Sequence, residues 1–471
     1  METNTMPVRS PWIFVLPLLV LISACQDRYD LNTVESLPEP VKANVRDAVD
    51  NGYRPGISVA LINQHGAHYF SYGRLSVDKH LDPQSLFAVG SLTKLFNASL
   101  FAERVLRGEL KLETPVNALL PEGFRVPDVA GTTMTLRHLA THTAGLPRDF
   151  AGLEAHGDNA PTRFLEQVAS FPYQTPFGQH YQYSNAGMTL LALLLERHSG
   201  QPFPQLIAER VTAPLAMADT GYQLSPAQQQ ALATPHHDMT PIAGAQLSTP
   251  TWRYGAGGLY SSTADLVRWL QAHLHPESSP MADVFALTMQ PFPIADSEQQ
   301  GTGLGWKIRW HQQQPIYYHG GEAVGYQAFV GFNPQSKLAV VLLSNAVAED
   351  ELQQVALHLL GTGLPLPDFS QPKPVSLAPE VLQRYVGTYL NDDDPQDNRL
   401  RFSIREGKLF YQELNQDGER IRETFVYAKS ASEFYFKEIP VELRFMTADG
   451  NQPPRLQLQS NDQVYRYSRQ P

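Results

Sequence analysis

The chain has one cysteine in 471 residues. That excludes an internal disulfide and a cysteine-rich metal site. It is also short of positive charge: 36 Lys and Arg stand against 47 Asp and Glu, a formal net charge of −11. No basic run appears, so nucleic acid is excluded as a partner. Internal repeats are lacking. Long apolar runs are lacking too, except "PWIFVLPLLVLIS" near the start. That stretch is too short for a comfortable transmembrane helix. What remains, 42% hydrophobic and 18% charged residues, describes an ordinary globular protein long enough for more than one domain.

The lone cysteine sits where it carries information. Arg9, the short apolar core and then Ala24-Cys25 follow a signal-peptide layout. "LISAC" resembles a bacterial lipobox, which implies cleavage before Cys25 and a lipid on its sulfur. Gln26 follows rather than Asp, the sorting pattern of an outer-membrane lipoprotein. The expected partition is a signal peptide over 1–24, a polar tether over 25–40 and a body beyond. The expected location is the periplasm or cell surface, with the membrane a partner through Cys25.

From Val41 a charged helical pattern runs to Gly52. "GISVALINQHGAHYFSYGRL" reads as two strands around Gln64-His65-Gly66. A helix is expected after Ser91, and "STADLVRWLQAHL" is amphipathic, with Leu266, Trp269, Leu270 and Leu274 on one face. Strand patterns follow in "LGWKIRW", "IYYH", "YQAFVGF" and "LAVVLLSN", then a helix, "ELQQVALHLLG". Strands at both ends and helices between them imply one antiparallel sheet flanked by helices, with an inserted helical region, an α+β body over 41–362. A proline-rich stretch over 363–379 reads as a linker. Beyond it, alternating segments around Glu406-Gly407 and Asn461-Asp462 read as hairpins of a small all-β domain, a barrel or sandwich, over 380–471.

Three short motifs carry the chemistry. In "GSLTKLF", Ser91 lies one helical turn before Lys94. The bland reading is a helix cap, and Ser76-Val77-Asp78-Lys79 has the same spacing in a polar stretch. A nucleophilic serine needs a base, an acid for the leaving group and donors for an oxyanion. "YQYSNAGMTLLALLLE" offers Tyr183, whose pKa an adjacent ammonium would lower, and Asn185, which could orient Lys94 and bind a substrate carbonyl. The alternatives are a core aromatic and a helix cap; Tyr389-Leu390-Asn391 repeats the spacing. "YYHGGEAVGYQAF" offers His319 at a strand end, with Gly320-Gly321 allowing close backbone approach.

Together Ser91-Leu92-Thr93-Lys94, Tyr183-Ser184-Asn185 and His319-Gly320-Gly321 resemble the three motifs of the serine β-lactamase and penicillin-binding superfamily. The tyrosine form of the second is similar to the class C branch. "TLRHLATHTAGLPR", "PLAMADTGY", "YGAGGLYSSTADLVRWL" and "AFVGFNPQSKLAVVLLSN" extend the resemblance over roughly residues 36–361. "LQRYVGTYL" resembles the start of the lipocalin-like domain appended to such hydrolases. The resemblance implies an acyl-enzyme at Ser91. Lys94 and Tyr183 would move the proton as a coupled pair, with either as base. Asn185, His319, Gly320 and Gly321 would bind substrate, and the N–H groups of Ser91 and Glu322 would form the oxyanion hole. No cofactor is implied.

Two departures bear on substrate. His319-Gly320-Gly321 replaces K-T-G, so the lysine and hydroxyl that favour a substrate carboxylate are missing; Gly301-Thr302-Gly303 and Gly361-Thr362-Gly363 do not sit where substitutes would. A largely neutral histidine attracts a carboxylate less, and Glu322 repels one. The expectation is an esterase or peptidase for neutral or cationic substrates, with weak β-lactam hydrolysis. A D-Ala-D-Ala carboxypeptidase and a non-catalytic scaffold are the alternatives. No metal site is expected. His138 and His142 have helical i, i+4 spacing but no H-E-x-x-H glutamate between them. His236-His237 reads as a loop pair, and Asp392-Asp393-Asp394 as a solvated turn. Ser91 is not in a G-x-S-x-G elbow, which argues against an α/β-hydrolase.

Overall fold

The computed structural model describes residues 29–470 apart from 238, 243–248, 294–299, 349–351, 393–398, 416–417, 437–440, 447–454 and 461–462. The expected signal peptide, Cys25, Asp393, Asp394 and the Asn461-Asp462 turn lie outside the described residues. Among the described residues no helix is long and apolar enough to cross a membrane.

Leu31–Pro471 forms one compact unit. Its main sheet runs, edge to edge, Lys79–His80, Gly66–Ser76, Gly56–Asn63, Leu338–Ser344, Tyr326–Asn333, Gln314–Ala323, Lys307–His311, Gln300–Thr302 and Phe292–Pro293. Each pairing in it is antiparallel. Strands from both ends of the body meet where Ile57 opposes Ser344 and Ile62 opposes Ala339. These two central strands are buried at every residue. That is why "GISVALIN" and "LAVVLLS" read as continuous apolar runs rather than alternating ones.

The helix Thr93–Leu106 is buried almost all round and forms the centre of the core. Phe96 stacks on Trp269 of the helix Thr263–Leu274, with ring centroids 4.8 Å apart. The Asn97 side chain donates to the Met188 and Gly255 carbonyls, tying this helix to the segments that carry the second motif and the Ala256 loop.

The C-terminal strands close into a barrel of eight, from Gly387–Asn391 to Gln463–Arg469. Eight strands leave an interior that side chains can fill. Here Tyr389, Phe402, Phe434 and Phe445 fill it, and the Tyr389 hydroxyl donates to the Tyr385 carbonyl. Residues 363–376 are tied at both ends rather than free. Asn44 donates to the Pro367 carbonyl, Asn51 to that of Phe369, and Tyr53 packs on Phe369 at 4.8 Å. On the barrel side Tyr435 donates to the Pro372 carbonyl and Val375 N–H to that of Ala428.

Candidate active site

Ser91 sits in a 3-10 turn, Gly90–Leu92, that runs straight into Thr93–Leu106. The Thr93 hydroxyl closes the turn on the Gly90 carbonyl at 2.6 Å. Gly90 has φ +50, and a Cβ there would come 2.2 Å from the Glu322 carbonyl oxygen. A Cβ at Gly321 would come 2.1 Å from the Val89 carbonyl oxygen. Two glycines therefore let the Ser91 turn and the His319 strand meet backbone to backbone. The close approach puts Glu322 beside Ser91.

Lys94 is fully buried. Its Nζ lies 2.9 Å from Ser91 Oγ and donates to the Ala256 carbonyl at 2.7 Å. The Tyr183 ring packs beside the same amine, its centroid 5.0 Å from Nζ, with the Ser91 side chain near its hydroxyl. Burial drives Lys94 well below the ordinary lysine range, against the opposing pull of Asp149. Burial also raises the Tyr183 phenol, with the nearby Ser91 side chain and Arg148 opposing. This corrects the expectation of a lowered tyrosine: desolvation outweighs the nearby cations. Both shifts act against the charged forms of the two groups.

His319 lies within its strand rather than at the end, buried and pushed down to about 3 by burial and then by Lys94 and Lys307. Its ring centroid is 6.0 Å from that of Tyr183. Asn185 is the first residue of Asn185–Ser199, and Ser184 is the cap. The Asn185 amide donates to Asp149, which also pairs with Arg253. Asn185 therefore does not orient Lys94; Ala256 does.

Ser91 lines two adjoining cavities. The larger, 420 Å³, also has Tyr183, Lys307, His319 and Gly320 in its wall. The smaller, 280 Å³, has Asn185, Arg253 and Gly258. Arg148 and Glu322 border both. Among the described residues, none of the barrel lines either.

Sequence reasoning missed the positive charge. Arg148 Cζ and Lys307 Nζ each lie 5.4 Å from the Tyr183 ring centroid. Neither has a carboxylate partner among the described residues, since Asp149 pairs with Arg253. Lys307 is lowered by burial and then by Arg148. The cavity thus holds two cations around the tyrosine, which reverses the reading of a site poor in positive charge. Their segments, "GLPRDF" and "LGWKIRW", carry no pattern that signals it.

His138 and His142 do not pair. The helix Leu136–Ala140 ends between them, and the His138 ring accepts the Thr135 N–H. His236-His237 is a short strand bridged to Ala346-Val347 rather than a loop.

The Beta-lactamase family model matches residues 41–361. The chain belongs to the beta-lactamase family. It is 34% identical over 225 residues to the D-alanyl-D-alanine-carboxypeptidase/endopeptidase AmpH of Escherichia coli (strain K12). That match covers 46% of this chain and 57% of the relative. It is 26% identical over 351 residues to a Beta-lactamase of Escherichia coli (strain K12), covering 66% and 89% of the two chains. It is 26% identical over 404 residues to Penicillin-binding protein 4* of Bacillus subtilis (strain 168), covering 80% and 86%. In this family member the serine and tyrosine motifs meet around the Lys94 amine, while the expected lysine of the third motif is absent and Lys307 of the adjacent strand enters the same cavity.

Proposed function

We propose that this chain is a serine hydrolase that forms an acyl-enzyme at Ser91. The observation that carries this is the buried Lys94 amine 2.9 Å from Ser91 Oγ and 5.0 Å from the centroid of the Tyr183 ring, with Ser91 and Tyr183 in one cavity wall. Ser91 Oγ attacks the scissile carbonyl while its proton passes to neutral Lys94. The N–H groups of Ser91 and Glu322 hold the oxyanion. The Tyr183 phenol protonates the leaving nitrogen or oxygen and recovers a proton from Lys94. Water then hydrolyses the ester by the reverse proton path.

The placement of Ser91 between two cavities separates acyl side from leaving-group side. Tyr183 assigns the larger cavity to the leaving group. Lys307 and Arg148 border it, which favours a leaving group bearing a carboxylate, as in a peptide ending in a D-amino acid. The printed name of the AmpH relative fits that class. Lipid on Cys25 would tether the enzyme outside the cytoplasm; Cys25→Ser should release it from the membrane fraction.

The test is a matched pair of D-Ala-D-Ala peptides, free acid and methyl ester. The free acid should give the higher kcat/KM. Lys307→Ala should lower it about tenfold or more on the acid alone, the size of a lost charge-assisted contact. Equal rates on the pair would instead support an esterase without carboxylate recognition.

A further inference from the structure

We propose that His142 is a positioning residue that holds Tyr183 in register with Ser91. The proposal rests on the acyl-enzyme reading above. His142 follows the helix Leu136–Ala140, whose cap is Thr141. The His142 N–H donates to the Leu139 carbonyl and the Thr143 N–H to that of His138. That is the helix ending in which the residue after the cap is left-handed and usually glycine. Here a histidine occupies it at φ +57. Glycine would adopt this conformation without strain, so the imidazole is the feature that distinguishes the position.

What the imidazole touches gives the reason. Its Nδ1 accepts the Ser184 N–H at 3.1 Å. The His142 carbonyl accepts the Gln182 N–H at 2.8 Å. One residue therefore grips the backbone on both sides of Tyr183. Its ring lies 4.7 Å from the Tyr183 ring at 32°, and meets Tyr181 edge-on at 5.7 Å. The left-handed turn directs carbonyl and side chain to the same segment.

The grip requires a neutral ring. An imidazolium has no acceptor at Nδ1, and the Ser184 contact would be lost. With Nδ1 accepting, the proton is on Nε2, which is buried without a partner among the described residues. Burial is the main influence keeping His142 neutral, and the groups facing it, Lys94, His319 and Lys307, act in the same direction.

Two variants separate positioning from simple folding. His142→Gly removes the imidazole, keeps the carbonyl bond and relieves the left-handed strain. His142→Asn tolerates the same conformation and restores a side-chain acceptor. Both are assayed on 4-nitrophenyl butyrate, whose leaving group needs no proton, and on benzyl butyrate, whose leaving group does. Tyr183→Phe is the reference. His142→Gly should stay folded with a cooperative melt below that of wild type, because the Ser184 N–H loses its buried acceptor while the left-handed strain is relieved. Its kcat/KM, which reports acylation, should fall about tenfold or more on the benzyl ester, with a smaller fall on the nitrophenyl ester. His142→Asn should recover most of the loss, and the Gly variant combined with Tyr183→Phe should add little. Unchanged kcat/KM in His142→Gly, equal losses on the two esters, or no recovery in His142→Asn would overturn the proposal. A wild-type protein that neither hydrolyses these esters nor reacts with a fluorophosphonate would instead overturn the hydrolase reading beneath it.

Discussion

Gly321→Ala adds one methyl group at the contact between the His319 strand and the Ser91 turn. A Cβ there would lie 2.1 Å from the Val89 carbonyl oxygen and 3.2 Å from Leu92 N. Real Cβ contacts stay beyond 3.0 Å, so going from 2.1 Å to 3.0 Å displaces the strand by at least 0.9 Å. The neighbouring atoms are backbone, and no flexible side chain can yield. Overpacking of this kind costs about 1–3 kcal/mol of stability. Catalysis suffers as well, because the strand carries the Glu322 N–H proposed for the oxyanion. A displacement of about 1 Å costs on the order of a hundredfold in rate. Gly221→Ala, outside the cavities, is the control: its Cβ would find its nearest neighbour at 3.8 Å, an ordinary contact. The assay is kcat on an activated aryl ester, with denaturant midpoints measured alongside. Gly321→Ala should lose about a hundredfold in kcat and Gly221→Ala no more than about threefold, the range of a substitution that forms only ordinary contacts. A Gly321→Ala enzyme as active as its control would refute the argument that this backbone contact sets the oxyanion geometry.

Other outcomes follow from burial and from the tied segment 363–376. Lys94→Met should abolish turnover and leave a protein whose stability relative to wild type depends on pH. The buried lysine has a pKa below its unfolded value, so its charge opposes folding at low pH and ceases to do so as pH rises toward about 10.4. The stability difference in favour of Met should therefore be greatest at low pH and shrink as pH rises. A pH-independent difference in denaturant midpoints would contradict it; the loss of a donor to Ala256 adds only a constant offset. Deleting residues 377–471 removes the barrel but keeps the Asn44 and Asn51 contacts to residues 363–376. Because the described residues that line the cavities all fall within 88–353, kcat/KM should change by no more than about twofold. A rise in KM for bulky substrates would show that the barrel reaches the mouth.

Much of the fold was legible because its signals are local. Alternation and turn residues marked the barrel hairpins, and continuous apolar runs marked the two central strands. Ser91, Lys94, Tyr183 and His319 carried their own motifs. The rest depended on tertiary approach. Arg148 is a lone cation after a loop, and Lys307 in "LGWKIRW" resembles one polar position of an alternating strand. Neither pattern tells that both would border the Tyr183 ring. The bland alternative for Asn185 failed by one residue: Ser184 is the cap, and Asn185 is free to donate to Asp149. The histidine pair at 138 and 142 looked helical because spacing does not show where a helix stops. Proline content suggested a loose linker at 363–379, while the asparagine amides that fix it lie more than 300 residues earlier.

The central claim is that Ser91 is the nucleophile. The most direct test is the intact mass of residues 26–471 after incubation with a fluorophosphonate and, separately, with a penicillin, using Ser91→Ala as control. The account predicts one fluorophosphonate adduct on the wild-type protein and none on Ser91→Ala. A penicillin adduct with the same dependence would add support for cell-wall-like peptides as substrates. An unmodified wild-type protein, or an adduct that persists in Ser91→Ala, would contradict the account.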